Sequence, residues 1–275
     1  MHPQNCKNCQ QPFTGNFCNN CGEKRFVEND KKISRLFEEG FHFVTHFEGT
    51  FFTSLKTILR SPGKFSLDFC NGIRKKYFKP ISFFLLLVIL YLLFPVFEGL
   101  NMRLHFHAQS EIYGSLVKQK VATLMAEKNI SFEQLSDLFH QKGEKVSKIL
   151  LPLIIPFMAC ISWLLLFKKR PFYYDHFIFT TESCSVLLLW GFLILPLLIV
   201  FVQLITPNKF LQGDYITGPL IILGVLLHCC IASIRFFNLK VWQALLFSLI
   251  YICILVLFIQ YIYKFLLYFF SIIQI

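Results

Sequence analysis

Five long blocks of apolar residues constrain this chain more than any other feature of its sequence. A bilayer core about 30 Å thick is spanned by roughly 20 apolar residues in a helix. The predicted spans contain no Lys, Arg, Asp or Glu and lie near residues 80–97, 149–167, 183–205, 216–234 and 241–263. Only 16% of the residues are charged, against about 25% in soluble domains. The chain is therefore expected to be an all-α polytopic membrane protein, and disorder is excluded.

The basic residues between the blocks predict the orientation of the chain. Lys and Arg are enriched in cytoplasmic loops. With five spans, the basic residues before the first, after the second and after the fourth all fall on one side. The densest group is a basic collar directly before the first span, made of Arg74, Lys75, Lys76 and Lys79. We expect the N-terminus to be cytoplasmic and the C-terminus to be outside.

The net charge of the chain is +11, and residues 1–79 contribute +6 of it. Much of that excess lies in the collar. Anionic lipid attracts basic residues beside a span, so membrane lipid is a predicted partner. The charge therefore needs no nucleic acid to explain it, and a nucleic-acid partner is disfavoured.

Four cysteines near the start of the chain have the spacing of a metal-binding ribbon. They form two C-x-x-C pairs separated by eight residues, namely Cys6, Cys9, Cys18 and Cys21. Two such pairs supply the four thiolates of a tetrahedral structural Zn2+ site. The alternatives are disulfides, which the cytoplasm disfavours, and a redox pair, which would need an α/β domain. We predict one structural zinc ion in a ribbon over residues 1–25, folded by metal binding.

Residues 33–79 are predicted to form amphipathic helices that lie on the cytoplasmic membrane face. Apolar residues recur there at helical spacing, as in helices that lie in the membrane interface. The run Ser61, Pro62 and Gly63 interrupts this pattern. Ser61 is expected to cap the following helix, with Pro62 at its first position.

Three histidines are the candidates for chemistry. His42 and His46 are four residues apart and share a helix face, a spacing that can bind metal. His176 lies near Asp175 and Glu182 before the third span. It could face His42 and His46 across the cytoplasmic membrane face, which would gather the three histidines and the carboxylates in one place. The alternatives are separate polar residues at the membrane surface, a second metal site, and a membrane-embedded catalytic or proton-relay group.

The order of these features resembles a known family. Residues 41–80 read FHFVTHFEGTFFTSLKTILRSPGKFSLDFCNGIRKKYFKP and follow two C-x-x-C pairs. This pattern resembles the bacterial membrane-protein family catalogued as domain of unknown function 3667. Gln10, Ser61 and Asp175 depart from its usual residues. The resemblance implies a bacterial inner-membrane protein and implies no known activity.

The segment between the first two spans is predicted to be an extracytoplasmic helical hairpin over residues 108–148. Ser110 is expected to cap its first helix, and Ser131 with Gln134 forms a capping box for the second, which Gly143 would end. Two groups of apolar residues are expected to face inward, namely Ile112, Leu116, Val121 and Leu124, and then Leu135, Leu138 and Phe139. The tail after Lys264 would lie on the membrane or pack against the bundle.

These features predict three parts, namely residues 1–25, 33–79 and 80–275. The sequence contains no phosphate-binding loop or hydrolase motif. We therefore expect a non-enzymatic scaffold or regulatory protein that docks a cytoplasmic protein through its ribbon. The alternatives are a small-molecule or ion transporter, and an intramembrane enzyme that uses the histidines and carboxylates.

Overall fold

A computed structural model describes residues 4–25, 49–93, 100–205 and 214–275. Two strands, β1 (Gln4–Asn5) and β2 (Pro12–Phe13), form an antiparallel pair. The helices of the first half are α1 (Thr50–Arg60), α2 (Lys64–Cys70), α3 (Pro80–Leu93), α4 (Leu104–Ala108), α5 (Gly114–Lys128) and α6 (Phe132–Leu166). Those of the second half are α7 (Tyr173–Val186), α8 (Leu195–Ile205), α9 (Asp214–Phe237), α10 (Val241–Leu257) and α11 (Lys264–Ile272).

The helices confirm a multi-pass membrane architecture. Four of those in the described residues are long and apolar enough to cross a bilayer, namely Phe132–Leu166, Tyr173–Val202, Thr217–Phe237 and Val241–Ile272. The first predicted span corresponds to α3, which has 14 residues and is about 21 Å long. Residues 94–99, which follow α3, lie outside the described residues. The count is close to the predicted five.

The second predicted span is continuous with the predicted hairpin. Helix α6 has 35 residues, so the expectation that Gly143 ends a helix is wrong. A Cβ at Gly143 would lie 3.2 Å from Asn101 Oδ1 and 3.7 Å from Ser271 Oγ. The glycine therefore lets other segments approach a helix that continues past it.

The helix that contains the third predicted span begins before the predicted boundary. Helix α7 starts at Tyr173, ten residues before the predicted boundary, and every residue from Tyr174 to Val186 is buried. A π-helical segment, Leu187–Ile194, joins α7 to α8. It contains Trp190, whose Nε1 donates to the Leu220 carbonyl at 3.1 Å. A Cβ at Gly224 would lie 2.0 Å from this nitrogen, so the glycine makes room for the indole.

Three basic segments lie at one end of the bundle. Arg74, between α2 and α3, stacks 5.7 Å from the ring of Tyr174. Arg170, between α6 and α7, donates to the Phe236 carbonyl at 3.0 Å, and Arg235 donates to the Pro62 carbonyl. We call this end, which also carries the ribbon, the ribbon end. The opposite end, with α4 and α5, is the hairpin end.

The hairpin end has a small apolar core of its own. The predicted inward residues that are buried are Val121, Leu124, Leu135 and Phe139. Those that are exposed instead are Ile112, Leu116 and Leu138. The expected Ser110 cap is wrong because α5 begins at Gly114, with Tyr113 as its N-cap residue. The Ser131 capping box is confirmed.

The tail packs against this core. Helix α10 continues through a second π-helical segment, Phe258–Tyr263, into α11. Tyr268 and Ile272 belong to the apolar cluster of the hairpin end. His107 lies in the same cluster with its Nδ1 2.9 Å from the Tyr113 hydroxyl, and burial lowers its pKa to about 4. The C-terminal residues therefore join the hairpin to the bundle.

The interfacial helices differ from the prediction at α2. Helix α1 is amphipathic, with Phe51 and Ile58 buried and Phe52 exposed. In contrast, Phe65, Ser66, Asp68, Phe69 and Cys70 of α2 are all buried. Helix α2 is thus enclosed by the bundle and does not lie on its surface. The earlier part of the predicted segment, residues 33–48, lies outside the described residues.

Candidate functional site at the ribbon end

The four ribbon cysteines converge on one point. Their sulfur atoms all lie within 4.8 Å of one another, and the pairs Cys6–Cys21 and Cys9–Cys18 have Sγ–Sγ distances of 3.5 and 3.6 Å. Four sulfurs at 2.3 Å from a tetrahedral Zn2+ would be roughly 3.8 Å apart. The cysteines are therefore placed to bind one metal ion. They are the only such cluster of three or more metal-binding side chains in the described part of the chain.

Two similar backbone turns hold the sulfurs in place. In the first knuckle the Gln10 N–H donates to the Cys6 carbonyl at 2.9 Å, and in the second the Gly22 N–H donates to the Cys18 carbonyl at 2.7 Å. Gln10 and Gly22 both have positive φ, at 63° and 68°. Glycine adopts this conformation readily. Gln10, where the family pattern has glycine, adopts the same geometry at some conformational cost.

The thiols of the first knuckle differ in acidity. Burial raises the pKa of Cys6 to about 11. The backbone N–H of Gln11 favours the thiolate of Cys9 and lowers its pKa to about 6. Because metals bind thiolates, metal binding by the ribbon releases protons.

The ribbon is docked on the basic collar. Glu23 directly follows the second knuckle and is 5% exposed. Its Oε2 accepts the backbone N–H groups of Arg74 at 3.2 Å and Lys75 at 2.8 Å. At Gly22, a Cβ would lie 2.5 Å from Lys75 Nζ, so the two segments are in close contact. Part of the predicted lipid-facing collar is thus a binding surface for the ribbon.

The collar belongs to a segment that we define as the motif segment, residues 61–79. Its turn at Gly63 has a φ of 76°, and a Cβ there would lie 2.5 Å from the Ala232 carbonyl oxygen of α9. This close approach requires glycine. Gly63, and not Ser61, is the N-cap residue of α2, which begins at Lys64, so the predicted Ser61 cap is wrong.

No side chain of the motif segment caps the start of α2, and Glu182 of α7 supplies this cap. It is 1% exposed, and its carboxylate accepts the N–H of Gly63 at 2.7 Å and that of Ser66 at 2.9 Å. The Ser66 hydroxyl donates to the same carboxylate. His228 Nε2 lies 3.5 Å from Glu182 Oε1. We call Gly63, Ser66, Glu182 and His228 the polar socket.

A second contact closes the motif segment on itself. The Tyr77 hydroxyl donates to Asp68 at 2.7 Å, and Lys64 lies 3.0 Å from the same carboxylate. Burial, followed by this hydrogen bond to Asp68, raises the pKa of Tyr77. Tyr77 therefore remains a neutral donor that joins α2 to the collar.

His176 belongs to a separate cluster. It is fully buried, and its Nδ1 lies 2.8 Å from the Ser162 hydroxyl while its Nε2 lies 2.9 Å from the Arg170 carbonyl. A carbonyl only accepts, so Nε2 carries a proton, and in the neutral ring Nδ1 then accepts from the Ser162 hydroxyl. Asp175 pairs with Arg170 at 3.1 Å. Both ring nitrogens are thus used in hydrogen bonds that hold together α6, α7 and the loop that joins them.

Of the three histidines predicted to converge, the structure describes His176. His42 and His46 lie outside the described residues. Of the group around the third span, Glu182 meets His228, whereas His176 and Asp175 bond to the α6–α7 connection. The sequence did not indicate that Glu182 would cap α2. Its only signal was an ionisable residue at the edge of an apolar block.

One comparison with known proteins gives a match. Residues 48–92 match the family model described as Protein of unknown function (DUF3667), which confirms the family resemblance inferred from the motif. The match contains α1, α2, the whole motif segment and all but the last residue of α3. Neither the curated proteins nor the solved structures include a match.

Proposed function

We propose that this protein is a scaffold of the bacterial inner membrane, with a zinc-loaded ribbon that binds a cytoplasmic protein. The docking of Glu23 on the collar is the observation that carries the proposal. A ribbon held at this position is a fixed part of the ribbon end and presents a constant surface. On this proposal the ribbon end is cytoplasmic and the hairpin end is extracytoplasmic.

The chemistry of the described polar residues supports a scaffold over an enzyme or a relay. The carboxylate of Glu182 is occupied by donors from the motif segment, and His176 has both ring nitrogens bonded. Four thiolates would complete the shell of a Zn2+ ion, as in structural sites, whereas catalytic sites leave a position open. These groups build the ribbon end and leave the ribbon surface for recognition.

Phe17 marks that surface. Its side chain is 58% exposed, and its backbone pairs with Lys24 next to the docked Glu23. Aromatic side chains with this exposure are enriched where proteins meet partners. The lysines of the collar that remain exposed, Lys75, Lys76 and Lys79, are proposed to contact anionic lipid beside it.

Photo-crosslinking tests this proposal. A benzoylphenylalanine at position 17 should form a discrete adduct with a cytoplasmic protein in cells. The same group at Leu116 of the hairpin end, which is 60% exposed, should not form that adduct. In a Cys18→Ser variant of equal abundance the adduct should disappear, because the ribbon requires its metal to fold.

Two results would contradict the scaffold. An adduct that persists in the Cys18→Ser protein would show that the folded ribbon is not recognised. Solute uptake by vesicles that contain only the purified protein would instead favour a transporter. Metal analysis of the purified chain should give one zinc per molecule, and a value near zero would remove the zinc site from the proposal.

A further inference from the structure

A groove of about 290 Å³ lies on the outside of the bundle between the end of α6 and the start of α10. Its walls are mainly aliphatic, with Leu166 and Leu246 on opposite sides, and Phe247 is buried at its floor. Trp242, which is 62% exposed, forms part of its rim. The groove is therefore open to the surroundings of the helices, which in a membrane are lipid chains.

One end of the groove is polar and basic. Lys169 and Gln243 line it there, beside the exposed Lys168 and Lys240. The Gln243 side-chain oxygen accepts the Lys240 N–H at 3.2 Å, which leaves its amide nitrogen as a donor. Between Glu144 and Asp175, and again after Asp214, the sequence contains no acidic residue. Asp175 is paired with Arg170. The polar end therefore complements an anion.

The loop that carries Lys169 is held in place on both sides. Trp163 Nε1 donates to the Pro171 carbonyl at 3.0 Å. Arg170 donates to the Phe236 carbonyl and stacks with its guanidinium 4.1 Å from the Phe236 ring centre. A lysine on a fixed loop loses less conformational freedom when it binds a ligand than one on a free tail. The positively charged end of the groove is thus held beside the apolar walls before a ligand binds.

The groove fits within one leaflet. From Trp242 to Ile250, both lining residues, a helix rises about 12 Å, which is less than half of a hydrocarbon core about 30 Å thick. Tryptophan is enriched at the level of the headgroups, where Trp242 would lie. A headgroup at Lys169 would therefore place an acyl chain along Leu246 and Ile250 without leaving its leaflet.

We propose that this groove binds one anionic phospholipid, with the phosphate at Lys169 and Gln243 and an acyl chain along α10. The site is separate from the ribbon and from the collar, and the inference does not depend on what the ribbon binds. On this proposal, the face between α6 and α10 binds one lipid selectively, whereas other faces of the bundle are only surrounded by lipid.

Lipid binding to the purified full-length protein tests the site. Dioleoylphosphatidylglycerol and dioleoylphosphatidylcholine share their chains and differ in headgroup charge, so native mass spectrometry of both measures selectivity for the anion. We expect the first phosphatidylglycerol to bind at least fivefold more tightly. Lys169→Glu should remove this preference, since each basic residue near an anionic headgroup contributes about fivefold. Lys148→Glu, near the middle of α6 and outside the lining of the groove, should retain it.

A second variant tests the apolar part. Leu246→Trp would fill the groove and should weaken both lipids severalfold without changing the helical circular dichroism. Equal binding of the two lipids to the unmodified protein would overturn the proposal, as would an equal loss in the Lys169→Glu and Lys148→Glu proteins. Inorganic phosphate that competes with phosphatidylglycerol and is insensitive to Leu246→Trp would show a free-anion site, which also contradicts a lipid groove.

Discussion

The carboxylate of Glu182 joins two parts of the chain that are more than a hundred residues apart. Burying a carboxylate costs several kcal/mol unless hydrogen bonds compensate. Here the compensation comes from the Gly63 and Ser66 N–H groups and the Ser66 hydroxyl. The motif segment therefore provides the hydrogen-bond donors that offset the burial of the Glu182 carboxylate. Glu182 in turn provides the acceptor for the free N–H groups in the first turn of α2.

Glu182→Gln should destabilise the protein by about 2–4 kcal/mol, because hydrogen bonds to a charged group are strong and the new amide places an N–H opposite donors. Thermal unfolding in detergent, followed by circular dichroism, measures this loss. Glu127→Gln, an exposed position on α5, should change stability by less than about 0.5 kcal/mol. Equal midpoints for the two variants would show that the socket does not support the fold.

At the scale of the elements, the ribbon and the motif segment form a single unit. The ribbon's metal-binding core is small, with Cys6, Phe13 and Cys18 buried in it. Its connection to the bundle passes through Glu23 and the collar amides. The folding of the ribbon and its docking on the bundle thus depend on different residues.

Glu23→Ala should therefore undock the ribbon without removing its metal. Zinc content should remain at one per chain, while hydrogen exchange of the Arg74 and Lys75 amides should rise because they lose their acceptor. Cys18→Ser is the contrasting variant, since it should lose both the metal and the protection. Unchanged exchange in Glu23→Ala would mean that other contacts hold the ribbon in place.

The sequence predicted which elements exist better than it predicted how they meet. The four cysteines, the long apolar helices and the Ser131 cap follow from local spacing and composition, and each was found. The α2 cap could not be predicted, because a partner 119 positions away leaves no periodic signal. Ile112 was misplaced because α5 begins after it, at Gly114. The buried stripe of α5 contains Val117, Val121 and Leu124, which leaves Leu116 on the exposed side of the helix.

At the scale of the whole molecule, the three basic segments meet at one end and the hairpin lies at the other. This arrangement agrees with the alternation expected from positive charge in the loops. The contacts of Arg74 with Tyr174, of Arg170 with Phe236 and of Arg235 with Pro62 tie the ribbon end together. The order of the helices and the charge of the loops thus support the same threading.

Cysteine labelling in intact cells tests the orientation. Glu133→Cys, at the start of α6, should react with a membrane-impermeant maleimide above the background of the unmodified protein. Lys76→Cys, in the collar, should react only after the cells are permeabilised. Labelling of Lys76→Cys alone in intact cells would show the opposite orientation. Labelling of both variants would show that the chain does not have a single orientation in the membrane.

Helix α6 has a mechanical consequence. It runs for 35 residues, or about 52 Å, from the hairpin end to the loop that carries Lys169. Helices α10 and α11 follow the same path in the other direction, and α11 packs on the hairpin core. Two helical paths therefore join the ends of the described bundle, one with Pro152 and Pro156 inside it and one with a π-helical segment. A displacement of the hairpin end is therefore expected to reach the ribbon end along both paths.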